Sequence, residues 1–355
     1  MSARAASVRF EGVYKRYGPV TAVRDVSFTI EAGTLVTLLG PSGCGKTTTL
    51  RLIAGLEMAS EGRIFIGDEE VTALPVTARD VSMVFQSYAL FPHMTVLENV
   101  RYGLAVSRVP KAESLARAER GLEMVGLAGY GKRLPSELSG GQQQRVAVAR
   151  ALVLEPAVLL FDEPLSNLDA KLRRQVREDI RELQHSLGLT AVYVTHDQQE
   201  ALAVSDRIIV MNQAVIAQDG SPRELYEQPA DRFVADFIGD ANLVEGRIER
   251  LDGETAVVDI GGTRRSLPHR GLEPGPTLVA LRPESVRLRP VSGDDGLRGR
   301  VVKATYLGSH LEYTVESPLG DLFVVDPRVE APIARGTDVA IELAAHGVTL
   351  VRDTA

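Results

Sequence analysis

Over the first 235 or so of the 355 residues, short runs that are apolar at nearly every position alternate with stretches whose apolar residues recur every three or four places. Thr34–Leu39, Val81–Phe85, Ala157–Phe161 and Thr190–Thr195 are runs of the first kind. A strand that is apolar on both faces suits the middle of a parallel sheet covered by helices on either side. Leu172, Val176, Ile180, Leu183 and Leu187 belong to the second kind. They form one stripe of a helix with charge opposite, which predicts an amphipathic helix whose polar face is solvated. The alternation predicts an α/β unit with a mostly parallel sheet.

From about residue 241 the pattern changes. Thr255–Ile260, Thr277–Arg282, Leu311–Val315 and Val339–Leu343 are short strand-like segments between Gly, Pro and Asp turns, and no long helical stripe persists. This predicts a small all-β barrel or a pair of barrels. The domains are therefore expected at 1–235 and 241–355. They are joined by Gly220–Asp240, with a short helix after Ser221-Pro222.

Composition narrows the class. The chain is 44% hydrophobic and 25% charged, and no apolar run approaches the roughly 18–20 residues a spanning helix needs. Met1–Gly12 has two arginines but no apolar core behind them, so a signal peptide is not expected. The expected location is the cytosol, with any membrane work done through a partner. One cysteine, Cys44, excludes an internal disulfide, and the six histidines lack the spacing of a zinc site. A net charge of −7 argues against a broad nucleic-acid-binding face. Small barrels can bind single strands, but from residue 241 there are 14 Lys or Arg against 17 Asp or Glu, with only Tyr306, Tyr313 and Phe323 to stack on bases.

The chemistry enters at Gly40-Pro41-Ser42-Gly43-Cys44-Gly45-Lys46-Thr47, which matches G-x-x-x-x-G-K-[ST] directly after an apolar strand. In such a loop backbone N–H groups turn inward onto phosphate oxygens, the lysine reaches the β- and γ-phosphates, and the Thr hydroxyl meets Mg²⁺. Thr48 continues into a helix whose positive end faces the phosphates. A second element is Val158–Glu163, an apolar strand ending in Asp162 and Glu163. Asp162 suits a carboxylate holding Mg²⁺ through water, and Glu163 suits a base for the attacking water. Two acids after a strand are otherwise an ordinary solvated strand end. Cys44 at the helix start is expected to have a lowered thiol pKa and an alkylation rate that ATP suppresses; alternatively it is only a small residue that fits.

Leu138-Ser139-Gly140-Gly141-Gln142 resembles the signature of ATP-binding cassette (ABC) proteins. Ser139 can cap a helix there, and Gly140 and Gly141 leave N–H groups bare. The other fragments follow in the order of that family. Tyr17 is similar to its adenine-stacking aromatic, with Tyr14 as competitor. Gln86 resembles the Q-loop glutamine that touches Mg²⁺ and the attacking water. Ser166-Asn167-Leu168-Asp169 resembles the D-loop, and His196, before a helix capped by Asp197 and Glu200, resembles the switch histidine on the γ-phosphate. The resemblance implies a P-loop ATPase cassette with a helical subdomain at about 87–155. It also implies that ATP is shared between the phosphate loop of one copy and the signature of another, so a homodimer.

In importers of this family the stretch after the glutamine, here Ser87–Val100, receives a cytoplasmic helix of the membrane subunit. Tyr88 and Phe91 are the expected docking residues, unless they are core. Phe237–Asn242 and Leu281–Val286 resemble the TOBE (oligomer-binding) domains of one importer subgroup. The resemblance therefore implies an ATPase subunit at the cytoplasmic side of the inner membrane. It would work with two transmembrane permease subunits and, indirectly, an external solute-binding protein, on a polyamine or ferric-ion type of solute and without nucleic acid. The alternatives are a soluble ABC ATPase of repair or translation, which two cassettes or a coiled-coil insertion would mark, and a mainly regulatory binding protein.

Overall fold

The computed structural model describes residues 5–291 and 296–353; the first four residues of the stretch read above for a signal peptide lie outside them. The chain forms two compact units, Met1–Pro222 and Arg223–Ala355.

The first unit contains β1 (Val8–Tyr17), β2 (Val20–Ile30), β3 (Leu35–Leu39), β4 (Glu61–Ile66) and β5 (Glu69–Glu70). It continues with β6 (Val81–Val84), β7 (Val158–Asp162), β8 (Thr190–Thr195), β9 (Arg207–Asn212) and β10 (Val215–Gly220). Its helices are α1 (Lys46–Ala54), α2 (Val96–Val106), α3 (Lys111–Met124), α4 (Gly140–Leu152), α5 (Ala170–Leu187) and α6 (Gln198–Val204). A six-stranded sheet runs in the order β10-β9-β3-β8-β7-β6 and is parallel except for the hairpin β9–β10. The apolar runs are its central strands, and every residue of β3 and β8 is buried.

Alternation along these strands divides the unit's interior. Leu35, Leu159, Phe161, Ala191 and Tyr193 face a core built with α2–α5. Val36, Leu38, Val158, Leu160, Val192 and Val194 face α1 and a second, antiparallel sheet, β2-β1-β4-β5. The sequence pattern missed this second sheet because β1 and β2 pair through several register shifts, which break the two-residue period.

The second unit begins at α7 (Pro222–Glu227), whose first residue belongs to the first unit, and α8 (Arg232–Phe237). The strands that follow are β11 (Asn242–Asp252), β12 (Thr255–Ile260), β13 (Thr263–Pro268), β14 (Gly275–Leu281) and β15 (Val286–Pro290). The last five are β16 (Arg298–Tyr306), β17 (Leu311–Ser317), β18 (Gly320–Asp326), β19 (Asp338–Leu343) and β20 (Val348–Val351). They form two five-stranded antiparallel sheets over one apolar core, in which Ile248, Val258 and Val279 of one sheet meet Val301, Tyr313 and Val339 of the other.

The break at residue 222 falls earlier than the expected 235. Segment 223–240 joins the β-rich unit because Arg282, only 1% exposed, donates to the carbonyls of Tyr226, Ala235 and Ile238 and stacks on the Tyr226 ring. Ala235 is buried with Ala241, Ala280 and Val351. Among the described residues no helix is long and apolar enough to cross a membrane.

Candidate active site

The loop Gly40–Gly45 turns out of β3 directly into α1. Gly45 is the N-cap with φ 109°, and a Cβ there would lie 2.4 Å from the Ala22 carbonyl oxygen, so no side chain fits. Lys46 is 5% exposed, and its Nζ donates to the carbonyls of Gly40 and Pro41, both at 2.8 Å. The ammonium is thus held by the first two carbonyls of the loop. The N-terminus of α1 has no side-chain cap and no acid in its first turn. Its donors and its positive end are left for an anion. Thr47 and Thr48 lie half-buried in that first turn.

Tyr17 is 44% exposed. Partial burial and the neighbouring Glu57 carboxylate push its phenol pKa up, and nearby Thr48 on α1 pulls it the other way. Both candidate rings carry a cation: the Lys15 ammonium lies 4.7 Å from the Tyr17 ring centroid, and the Arg16 guanidinium 4.8 Å from that of Tyr14. Cys44 departs from expectation. It is 4% exposed, and burial pushes its thiol pKa up more than the nearby Lys46 ammonium pulls it down.

β7 delivers the two acids. Burial raises the pKa of Asp162; Arg51 opposes the rise and neighbouring Glu163 adds to it. Glu163 leaves the strand at φ 45°, its N–H donating to Val194 O at 3.1 Å. Because β7 and β8 are paired in parallel with Asp162 opposite Val194, the residues just past the two strands meet. Glu163 Oε2 lies 3.3 Å from His196 Nδ1. Gln86, past β6, joins the same edge: its Nε2 donates to Ser166 Oγ at 3.0 Å, and Asn167 Nδ2 donates to the Gln86 carbonyl at 3.0 Å. Ser166 Oγ in turn donates to the Glu163 carbonyl at 3.1 Å.

Asp169 Oδ1 accepts from the N–H groups of Lys171 and Leu172, which makes it the N-cap of α5. Ser139 and Gln142 form a reciprocal capping box at the start of α4, worth about 1 kcal/mol to a helix. Gly140 and Gly141 have a packing role as well, since a Cβ on Gly141 would stand 2.6 Å from Leu172 Cδ1. The signature segment packs against the loop and helix that follow Glu163, and none of its hydrogen bonds reaches Gly40–Thr48 among the described residues.

Two further expectations are corrected. Tyr88 is buried at 6% in the core of α2–α5, at φ 59°, so it presents no docking surface. Phe91, half-buried, does line an apolar groove of 460 Å³ with Leu56, Phe85, Ala89, Tyr102, Arg150 and Leu154. Glu200 does not complete a capping box. Asp197 caps α6, but the Glu200 carboxylate turns inward and accepts from Thr195 Oγ1 at 2.8 Å and Tyr193 Oη at 3.1 Å. Arg150 was not anticipated either: it donates to the carbonyls of Tyr88 and Ala89 and so holds the turn after Gln86. Its only signal in the sequence is an arginine within the otherwise apolar second half of α4, Val146–Leu152.

A strand–loop–helix phosphate cradle beside a carboxylate–histidine pair, followed by a separate β-rich unit, is the architecture of an ATP-binding cassette with an appended domain. Residues 23–166 match the family model for ABC transporters and residues 279–351 the model for the TOBE domain. The Fe(3+) ions import ATP-binding protein FbpC of Brucella abortus (strain 2308) is 60% identical over 348 residues, 98% of each chain. The protein of the same name from Escherichia coli (strain K12) is 53% identical over 310 residues, 87% of each chain. The ATP-binding cassette MJ0796, solved as a dimer in a post-hydrolysis state with ADP and Pi, superposes with a TM-score of 0.54 at 33% identity. That match covers 61% of this chain and 99% of the solved one. The chain belongs to the ATP-binding subunits of ABC importers, and its activity is ATP hydrolysis.

Proposed function

We propose that this subunit powers ferric-ion import, with two copies sharing two ATP sites at the cytoplasmic side of the inner membrane. The observation that carries the catalytic part is the Glu163–His196 pair beside an uncapped helix N-terminus that already holds a buried lysine. Lys46 and backbone N–H groups of the loop and the first turn of α1 bind the β- and γ-phosphates, and Tyr17 stacks on the adenine. Thr47, Gln86 and Asp162 offer hydroxyl, amide and carboxylate oxygens, a hard donor set that suits Mg²⁺. The burial that raises the Asp162 pKa is a cost that a cation would relieve. Mg²⁺ would neutralise charge on the β- and γ-phosphates. Glu163 orients and deprotonates the water that attacks the γ-phosphorus, while His196 holds the Glu163 carboxylate in line and contacts the γ-phosphate.

Ser139, Gly140, Gly141, Gln142 and Asp169 of each copy would close over the nucleotide of the other; the dimeric state of the MJ0796 cassette supports a two-copy assembly. The groove around Phe85, Phe91 and Leu154 fits an apolar helix end of a permease subunit. The solute is read from the two relatives named for Fe(3+) import. Reconstitution with its two permease subunits and the external binding protein tests the whole. ATP turnover should rise with Fe³⁺-loaded binding protein and not with a polyamine; a rise with the polyamine alone, or none with iron, contradicts the proposal.

A further inference from the structure

Arg173, in the first turn of α5, touches three parts of the site edge that the catalytic reading leaves unconnected. Its Nη2 donates to the Leu168 carbonyl at 3.1 Å, just before Asp169. Its Nη1 lies 3.6 Å from Asp197 Oδ2 and its Nε 3.7 Å from Glu200 Oε1. Asp197 follows His196 directly in the chain, and Glu200 lies in the first turn of α6, four residues after it. The Glu200 carboxylate is 4% exposed and is fixed on its other oxygen by Tyr193 and Thr195, the strand residues leading to His196.

We propose that Arg173 is a positioning residue for hydrolysis, tying the segment that carries His196 to the loop that carries Ser166 and Asp169. The geometry is that of a bond not fully closed. Charge-assisted N–H···O bonds settle at roughly 2.7–2.9 Å, so both acid contacts are nearly 1 Å too long. Arg173 Nε, buried, has no hydrogen-bond partner among the described residues, and a buried donor left in that state is costly. A movement of the His196 segment towards α5 by less than about 1 Å would close both contacts at once. The Leu168 carbonyl, held by the same guanidinium, keeps the loop after Glu163 in step with that movement. Arg177, one turn further along α5, donates to the Gln199 carbonyl at 3.3 Å and so reaches the same segment through its backbone, leaving Arg173 the contacts with Asp197 and Glu200.

The inference rests on the roles given above to Glu163 and His196. The test is steady-state ATP turnover by the full-length protein, with melting temperature measured alongside. Arg173→Met should lower kcat by about tenfold or more while the KM for ATP stays within about twofold, and Arg173→Lys should recover part of the loss. Glu200→Gln, which keeps an oxygen for Tyr193 and Thr195 but removes the charge, should lower kcat less. Combined with Arg173→Met, it should add almost nothing. Unchanged kcat in Arg173→Met would overturn the inference, as would kcat, KM and melting temperature all falling together with no recovery in the lysine variant. If Arg173→Met fails to fold, an additive pairing of Arg173→Lys with Glu200→Gln is the contradicting result. A Glu163→Gln control separates the levels: turnover retained there would bring down the site reading and this inference with it. Turnover lost there but intact in Arg173→Met would bring down this inference alone.

Discussion

His196 Nδ1 stands 3.3 Å from Glu163 Oε2, and the two residues come from neighbouring parallel strands that end at the same sheet edge. A carboxylate and an imidazole in that relation act as a unit: one group acquires the proton, the other fixes its direction. His196→Ala should therefore reduce kcat by about a hundredfold. Adding Glu163→Gln should cost no more than the worse single change, as for groups that act together. Steady-state turnover of the two single variants and the double variant checks this; strictly multiplicative losses would separate the two roles.

Lys46→Ala and Gly45→Ala should both lose ATP affinity, for different reasons. The first removes the ammonium that the loop carbonyls hold in place. The second puts a methyl group 2.4 Å from the Ala22 carbonyl at a φ of 109°, so the loop itself must shift, at a cost of about 1–3 kcal/mol. Calorimetric ATP binding should fall in both, and the melting temperature should fall in Gly45→Ala only.

Cys44 sets a pH dependence. Burial disfavours its thiolate, so the thiolate fraction at any given pH is smaller than for a free thiol, whose pKa is about 8.5. Alkylation should be slow at pH 7.5 and should speed up only as the pH rises past that ordinary value. Mass spectrometry after iodoacetamide treatment measures it, with the protein unfolded in urea as the fast reference. Equal rates for folded and unfolded protein at pH 7.5 would contradict the burial argument.

Leu154→Asp places a charge in the apolar groove, on a side chain that is 42% exposed. ATP turnover by the isolated subunit should stay within about twofold of the original, since no site residue is touched. Stimulation by the assembled permease and loaded binding protein should be lost. Retained stimulation would move the docking surface elsewhere.

Most of the cassette was legible because its chemistry is local. The phosphate loop, the acids after β7 and the histidine after β8 each follow a strand that is apolar on both faces, a pattern buried parallel strands impose. What escaped was non-local. The bulged pairing of β1 with β2 hides the period of the second sheet. Arg282 ends a strand-like run in the sequence, with nothing there to mark its partners, yet three backbone carbonyls and the Tyr226 ring bury it and draw segment 223–240 into the second unit. Tyr88 sits in a run of aromatics that looks the same whether it faces solvent or core. Glu200 fits a capping pattern three residues after Asp197, but two hydroxyls on β8 compete for its carboxylate and win. The partners of Arg282 and Glu200 are fixed by tertiary packing, which spacing along the chain does not encode.

The most direct measurement is ATP binding and turnover by full-length Glu163→Gln with Mg²⁺ present. ATP affinity should stay within about threefold of the original protein, and turnover should fall by at least about a hundredfold. Turnover at the original rate, or loss of ATP binding along with it, would contradict the assignment of Glu163 as the base that activates water.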